Sequence, residues 1–558
     1  MTASDLALPT KACHNCRKKR WKCDRSLPVC HKCLSSGAEC LGYGKLFVWN
    51  NGVASRGKMM GKSYEEALAT RRDGQAHLPR LAFRPTPTPK PSSQPEHYPG
   101  LSHSADLDYR DDSSSSSGEE GEHVGTVVQR PLLDPLVQDL SSHSRYYLSH
   151  FASQLCADMV CYDAPGQNPL RELIPATSAY PLLLQIMIAS SAFHVFNISQ
   201  DPMSQSVYQQ TQKPCLMAYY QAVSRFGGPL KSSYHDALVA KQQALSLMAK
   251  SVASVNGSNI DMILVAILLF VNYDLIESGR DKWKVHMEGA RKLINLLGTP
   301  AFEQRPMSKL RQYVLSDLLI FSILGSTFTF SVTPKLIPDT VDIEPILRYA
   351  ESNNYLSCPA PLLRIMLESF ALSDTRNSPT DDVAADVQER VGSMIMAVLA
   401  FDPVQWAHDF EPTSELDDVK QRILIASAHR SAVCIYLARI IPCNNPLLDP
   451  ESGSALVSLT ALADDIVLHI SRLRPGDSLF KSISWPLFLA GAESEDVAQR
   501  EWIMNTLDEF YNVMYWGYVK TVKSVLEEIW KFKDRAGAGS ANCWVVEVKE
   551  MGTELLIA

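Results

Sequence analysis

The stretch CHNCRKKRWKC, residues 13–23, is followed at residues 30–40 by CHKCLSSGAEC, and both copies follow the pattern C-x2-C-x6-C. Between its second and third cysteines, the first copy carries five basic residues, whereas the second copy carries Glu39 as its only charged residue. The same cysteine spacing therefore occurs twice, and only one of the two copies is strongly charged. A function assigned to this segment has to account for that inequality.

The six cysteines of the two copies have the spacing of metal ligands. Zn²⁺ in structural sites takes four ligands in a tetrahedron and favours thiolates. Six cysteines cannot close two separate four-ligand sites, so two thiolates must each bridge both metal ions. The repeat requires the bridging pair to occupy equivalent positions, which are 13 and 30, 16 and 33, or 23 and 40. The spacing by itself leaves these three pairs open.

The full pattern C-x2-C-x6-C-x6-C-x2-C-x6-C resembles the DNA-binding module of the fungal binuclear zinc cluster transcription factors. The resemblance implies two Zn²⁺ per chain, bridged by the first and fourth cysteines. One ion would be held by Cys13, Cys16, Cys23 and Cys30, and the other by Cys30, Cys33, Cys40 and Cys13. Pro28 matches the loop proline of the family, where a rigid turn brings the two halves together.

The basic run of the first copy suits a polyphosphate surface. In the family, the corresponding residues sit on a short helix in the major groove, and a basic pair reads the guanines of a CGG triplet. The resemblance places this pair at Lys19 and Arg20. Their chemistry suits the role, since Arg can hold guanine O6 and N7 with two hydrogen bonds and Lys can donate to the same edge. Arg17, Lys18 and Lys22 are expected to contact phosphates. The predicted partner is therefore double-stranded DNA with CGG-type sites.

Two other interpretations of the cysteine segment are a disulfide knot and a zinc module that acts as a cofactor or repressor partner through protein contacts, without DNA readout. His14 and His31 stand inside the C-x2-C pairs and are interpreted as exposed helix-start residues, not as ligands. Trp21 is expected to pack on the module or against DNA sugars. The run RKKRWK, residues 17–22, is also a nuclear-import candidate, consistent with a nuclear protein.

Composition indicates an intracellular protein with no membrane partner. The start, MTASDLALPT, lacks a basic segment leading into an apolar run, and the longest purely apolar run, residues 262–271, is too short to span a bilayer. In a reducing compartment the cysteines are thiols or metal ligands. The seven cysteines outside the repeat are predicted to be small buried residues. They are Cys156, Cys161, Cys215, Cys358, Cys434, Cys443 and Cys543.

Charge divides the chain into a basic head and an acidic body. Residues 11–62 hold twelve basic and two acidic residues, a net charge of +10, so the remainder must carry −18 for the whole chain to total −8. Residues 41–73 form a basic extension that resembles the segment following the cluster in regulators of the acriflavine sensitivity control type. This extension is expected to follow the DNA backbone, and the alternative is a plain basic linker.

The remaining chain divides by composition into a linker and a helical body. Residues 1–12 are predicted to be a disordered tail and residues 74–140 a disordered linker, rich in proline, serine and acidic residues. Residues 141–558 show apolar residues at helical spacing, which predicts a large, mostly α-helical domain. Examples are Trp283, Met287, Ala290, Ile294 and Leu297, together with Leu238, Leu245, Met248 and Val252. No sustained heptad pattern follows Cys40, so the sequence does not predict a coiled-coil dimer there.

The segment WKVHMEGARKLI, residues 283–294, resembles the middle homology region of fungus-specific transcription factors. The resemblance covers about residues 141–540. Three interpretations of this domain are open: a regulatory domain that senses a metabolite, a platform that binds coactivators, corepressors or a second copy of the chain, and a relic enzyme fold. His286 is interpreted as a helix-packing histidine, and Gly289 as a point of close helix approach. The aromatic run DEFYNVMYWGY, residues 508–518, is a candidate activation segment or, alternatively, part of the core.

Motifs of enzymes are missing from the sequence. It contains no H-E-x-x-H, G-x-S-x-G or G-x-G-x-x-G, and GKMMGKS, residues 57–63, is one residue short of a P-loop. An enzymatic interpretation therefore has no support in the sequence. The family resemblance implies a nuclear regulator of RNA polymerase II transcription, acting on a metabolic or secondary-metabolite biosynthetic pathway.

Overall fold

The computed structural model describes parts of the N-terminal module and most of the chain from residue 137 onward. The described ranges are 11–26, 30–36, 40, 137–164, 166, 168–200, 233–280, 282–297, 307–327, 335–338, 341–373, 381–441, 448, 455–536, 544–551 and 554–558. Pro28, the basic extension and nearly all of the predicted linker lie outside them. So do Cys215, Cys443 and Cys543.

The chain separates into two compact units, Met1–Val124 and Gly125–Ala558. The first unit contains the short helices α1, His14–Lys18, and α2, His31–Ser35, beside a cluster of cysteines. The second unit is a large helical domain. The predicted fold class, a small cysteine module and a large mostly α-helical domain, is confirmed.

The described helices of this domain are mostly of moderate length, as the frequent prolines suggest. From α3 to α10 they are Ser142–His150, Cys156–Asp158, Pro169–Glu172, Pro181–Ser199, Ser233–Ala253, Ile260–Glu277, Trp283–Leu297 and Lys309–Ser326. From α11 to α16 they are Glu344–Asn353, Ala360–Ser373, Asp381–Ala400, Pro403–Asp409, Val419–Ala438 and Leu459–Ile470. From α17 to α20 they are Ser484–Glu493, Val497–Met514, Tyr518–Ala536 and Trp544–Glu550. Single turns of π- and 3₁₀-helix lie at Phe151–Leu155, Ile174–Ser178 and Ser478–Ile483.

Polar side chains start many of these helices. Ser141 accepts a hydrogen bond from the backbone N–H of Ser144 at the start of α3, and Ser308 does the same for Arg311 at the start of α10. Asp402 caps α14, which has proline at its first position. Such caps satisfy backbone donors that the helix itself leaves unpaired, and they fix where each helix begins.

Two apolar helices lie in the interior of the domain. Helix α6 is long and apolar enough to cross a bilayer, yet 78% of its most apolar window is buried inside the protein, as expected of a core helix. Helix α8 is buried from Ile260 to Ile276 except at Asp261 and Met262, which are half-buried. Four of the cysteines predicted to be core residues are described, and all four are buried: Cys156, Cys161, Cys358 and Cys434.

Helix α7 packs on α6 through its smallest side chains. The buried residues of α7 are Ser233, Ala237, Ala240 and Ala244. Of the large apolar residues whose spacing predicted this helix, Met248 packs partly buried against the core, whereas Leu238, Leu245 and Val252 are 40%, 42% and 47% exposed. The periodicity therefore identified a helix correctly, but most of its apolar stripe lies outside the core.

Helix α9 carries two residues singled out in the sequence. The ring of His286 stacks on Phe270 with centroids 4.8 Å apart, and its Nε2 lies 3.5 Å from Asp274 Oδ2. Its packing between helices is confirmed, but Asp274 Oδ2 accepts no hydrogen bond from it. The expectation for Gly289 is wrong, because a Cβ there would meet only Ile267, at 3.9 Å. The close approach occurs instead at Gly325, where a Cβ would lie 2.3 Å from the ring of Trp283.

The turn between α18 and α19 is a buried junction. His194 Nε2 donates to the carbonyl of Met514 over 2.7 Å, and Asn197 Nδ2 donates to the carbonyl of Tyr515 over 2.9 Å. A Cβ at Gly517 would lie 2.3 Å from the carbonyl oxygen of Glu277, so only glycine fits there. Met514, Tyr515, Trp516 and Tyr518 are all buried. The aromatic run of residues 508–518 therefore belongs to the core, as its alternative interpretation held.

Candidate metal centre and nucleic-acid interface

Each copy of the cysteine repeat begins a helix with its first cysteine. Cys13 is the N-cap of α1, and its Sγ accepts a hydrogen bond from Cys16 N over 3.4 Å. Cys30 is the N-cap of α2, and its Sγ accepts from Cys33 N over the same distance. A thiolate at this position receives backbone donors that would otherwise be unpaired. The C-x2-C spacing thus places two sulfurs of each copy at one helix start.

The six sulfurs gather into one compact cluster. Two sets of four have all their sulfurs within 4.8 Å of one another: Cys13, Cys16, Cys23 and Cys30, and Cys13, Cys30, Cys33 and Cys40. Cys13 and Cys30 are the members common to both sets. Their own sulfurs are 3.6 Å apart, and the sulfurs of Cys16 and Cys33, which are in different sets, are 3.8 Å apart.

These distances fit zinc and exclude disulfides. Four sulfurs at about 2.3 Å from a tetrahedral zinc ion are about 3.8 Å from one another. The Cys16–Cys30 distance of 3.7 Å falls close to that value. A disulfide would need sulfurs about 2.05 Å apart, and all six cysteines are free thiols. The disulfide-knot interpretation is therefore wrong.

The histidines of the C-x2-C pairs take no place among these sulfurs where they are described. His31 is exposed at the start of α2, as expected, and its Nδ1 lies 2.8 Å from Asp24 Oδ2. The Asp24 carboxylate also accepts from the backbone N–H groups of His31, over 3.2 Å, and Lys32, over 3.4 Å. These contacts tie the chain that leaves the first copy to the first turn of the second helix. His14 begins α1, and its side chain lies outside the description.

The basic residues of the first copy form an exposed segment at the end of α1. Arg17 and Lys18 occupy the last turn of this helix, and Lys19 is its C-cap. Arg20 follows with a φ of +54°, in the left-handed region. The family resemblance implied that the whole basic run is helical, and this expectation is wrong from Lys19 onward. The structure therefore presents the two expected base-reading residues on the turn that leaves the helix.

Trp21 connects this exposed segment to the cysteine cluster. Its side chain is half-buried against the cluster, and its backbone N–H donates to the carbonyl of Cys16 over 2.8 Å. The amino group of Lys19 lies 4.6 Å from the centre of the indole ring, and that of Lys32 lies 5.7 Å from it. Of the two positions the sequence left open for Trp21, the structure shows packing on the module.

Comparison with known proteins finds a matching domain family for each of the two units. Residues 11–47 match the fungal Zn(2)-Cys(6) binuclear cluster domain, and residues 146–558 match the fungal specific transcription factor domain. The chain belongs to the fungal Zn(2)-Cys(6) transcription factors. Domains of this kind bind two zinc ions and DNA, and members of the family are nuclear transcription factors, not enzymes.

One relative is similar along nearly its whole length. The chain is 30% identical to the acriflavine sensitivity control protein acr-2 of Neurospora crassa over an alignment of 611 residues. The alignment covers 99% of this chain and 97% of the relative. No solved structure matches the chain.

Proposed function

We propose that this chain is a sequence-specific, zinc-dependent regulator that binds CGG-type DNA sites and controls RNA polymerase II transcription of a metabolic or secondary-metabolite biosynthetic pathway. The observation that supports it most is the inequality of the two copies. Both copies contribute sulfurs to the cluster, but only the first places a run of exposed basic side chains beside it. A module that only had to hold metal would gain nothing from that run.

Zinc would be held by the two overlapping sets of sulfurs, with Cys13 and Cys30 bridging both ions. The metal supplies cross-links that replace the apolar core such a short module lacks. Cys13→Ala should therefore lose both ions, whereas Cys40→Ala should retain at least one. Native mass spectrometry of the two variants measures this directly. Equal zinc content in both variants would contradict the bridging role of Cys13.

Arg20 and Lys19 are the residues that would read guanine, and Arg17, Lys18 and Lys22 would contact phosphates. Arg20 and Lys19 lie side by side on the turn after α1, with their side chains exposed. Arg20 can donate two hydrogen bonds to one guanine edge, and Lys19 can donate to its neighbour. Phosphate contacts from the flanking residues would fix the position of the segment without adding sequence preference.

A gel-shift comparison of a CGG-containing duplex with a scrambled one tests the proposal. The zinc-loaded chain should prefer the CGG duplex. Arg20→Ala should cost on the order of 1–3 kcal/mol on that duplex and much less on the scrambled one. Arg17→Ala, the matched control, should weaken both complexes alike. If the wild-type chain binds neither duplex, the zinc module acts through protein contacts instead, as a cofactor or repressor partner would.

The division of labour along the chain is part of the proposal. Residues 13–40 would bind DNA, residues 41–73 would follow its backbone, and residues 74–140 would join them to a regulatory domain over residues 141–558. Coactivators, corepressors or a second copy of the chain would bind that domain. The charge division supports this, because a strongly acidic body is a poor surface for DNA.

A further inference from the structure

Trp21 has a fixed place on the surface of the cysteine cluster. One side of its ring system packs on the cluster, and its backbone is held by the hydrogen bond to Cys16. An aromatic ring attracts a cation placed over its face within about 6 Å. The exposed part of the indole is therefore a fixed platform for positive side chains.

Two lysines use this platform, and they come from different copies of the repeat. Lys19 follows α1 in the first copy, while Lys32 lies in α2 of the second copy. Their amino groups are 4.6 Å and 5.7 Å from the ring centre. The second copy, which lacks a basic run, thus still places one positive charge beside the base-reading segment.

The position of Lys32 is supported from its backbone as well. Its N–H donates to Asp24 Oδ1 over 3.4 Å, which links the start of α2 to the loop leaving the first copy. Within the described part of the module, no carboxylate forms an ion pair with the amino group of Lys32, and the side chain is exposed. Its charge is therefore available to an anionic partner.

We propose that Lys32 contacts a DNA phosphate next to the bases read by the first copy, and that Trp21 is the positioning residue that holds both Lys19 and Lys32 beside its indole ring. This inference rests on the proposed DNA-binding function. It assigns a DNA contact to the copy of the repeat whose sequence shows no basic run, and it gives the indole ring a role that an aliphatic residue cannot fill.

Salt titration of DNA binding by the full-length, zinc-loaded chain tests the role of Lys32. A phosphate contact contributes about one unit to the slope of log K against log salt concentration. Lys32→Ala should lower this slope by about one unit on CGG and scrambled duplexes alike, and Lys32→Arg should keep it. Lys11→Ala removes another exposed charge of the same module, one that makes neither of the two cation–π contacts to Trp21 described above, and it should change the slope less. Equal effects of Lys11→Ala and Lys32→Ala would overturn the proposal.

Trp21 is tested by variants that separate its aromatic face from its bulk. Trp21→Leu keeps an apolar side chain on the cluster but removes the platform, so zinc content should stay at two ions while the preference for CGG over scrambled DNA narrows. Trp21→Phe should restore much of the preference. A Trp21→Leu variant with two zinc ions and unchanged preference would overturn the positioning role. Zinc content, measured in each variant, identifies any that fail to fold.

The outcomes separate this inference from the proposed function. If the wild-type chain prefers CGG and Arg20→Ala removes that preference, while Lys32→Ala leaves the salt slope unchanged, only the role of Lys32 is refuted. If the wild-type chain shows no preference for CGG, the proposed function itself fails.

Discussion

The two units of this chain are stabilised in opposite ways. The described interior of the N-terminal module consists of four fully buried cysteines, with Trp21, Cys23 and Cys40 partly buried against them. The helical domain buries a continuous cluster of aliphatic and aromatic side chains contributed by nearly every helix. Stability in the module therefore depends on one ligand, the metal, whereas stability in the domain is distributed over many small contributions. The same perturbation should affect the two units very differently.

Removal of zinc is expected to have the largest effect and to act on the module alone. Structural zinc contributes roughly 10–16 kcal/mol of apparent binding free energy at neutral pH, which such a short module cannot replace by apolar burial. A chelator should open residues 17–22 to trypsin while the cleavage pattern of the helical domain stays unchanged. Mass spectrometry of the fragments measures both. An N-terminal module that resists trypsin after chelation would contradict the comparison.

A large-to-small substitution in the helical core should have the converse effect. Phe270 is fully buried and stacks on His286. Phe270→Ala should cost about 3–5 kcal/mol, because it removes apolar burial and leaves a cavity. Urea denaturation followed by circular dichroism measures this loss, and zinc content should remain at two ions per chain. Loss of zinc in this variant would mean that the two units do not fold independently.

Two adjacent residues of α7 sharpen the comparison within the domain. Ala244 is fully buried against α6, while Leu245 is 42% exposed. Ala244→Leu should cost about 1–3 kcal/mol by overpacking a close helix contact. Leu245→Ala should change stability by no more than about 0.5 kcal/mol, as surface substitutions usually do. Denaturant midpoints of the pair give the answer, and a larger loss for Leu245→Ala would show that its stripe is covered in solution.

The pH dependence of the domain should show a smaller effect. Burial raises the pKa of Asp317 to about 7, and Asn354 Nδ2 donates to this carboxyl over 2.8 Å. A carboxyl with a raised folded-state pKa contributes stability that is fully present below the unfolded pKa, about 3.9, and is lost as pH rises through about 7. Across this window, the titration of Asp317 should lower the free energy of unfolding by at most about 1.4 kcal/mol for each unit that the pH rises.

The matched variant for this prediction is Asp317→Asn, which cannot ionise. Between pH 5 and pH 7.5, the melting temperature should fall less for this variant than for the wild type. Parallel profiles for the two proteins would show that Asp317 keeps one protonation state over this range.

The sequence predicted the module better than it predicted the domain, for a physical reason. Cysteine number and spacing predict a two-metal cluster with two bridging thiolates, and the family resemblance chooses among the three possible bridging pairs, so the cluster could be anticipated without knowledge of tertiary contacts. Helical periodicity reports that apolar residues share a face, but not which neighbour covers it. In α7 the core face is chosen by small residues that allow close approach to α6, and this signal is weak in the sequence beside Leu238 and Leu245.

The local structure of the basic segment, residues 17–22, could also not be predicted from the sequence. Nothing in RKKRWK marks Lys18 as the last helical residue, because lysine and arginine are good helix formers. The helix ends there in a local backbone cap: Arg20 is left-handed, its N–H donates to the carbonyl of Arg17 over 3.3 Å, and the N–H of Trp21 donates to the carbonyl of Cys16 over 2.8 Å. The role of Lys32 was likewise hidden, since its proximity to Trp21 joins residues from different copies of the repeat.

The backbone of Arg20 has a consequence for the base-reading role proposed for this residue. Its φ of +54° is a conformation that residues branched at Cβ adopt only with strain. Valine, isoleucine and threonine are therefore disfavoured at this position whatever base stands opposite, whereas glycine, asparagine and unbranched side chains are accessible. Under the proposed role, a change of DNA-site preference through position 20 could use only this limited set of amino acids. A mutant library at this position can therefore be small.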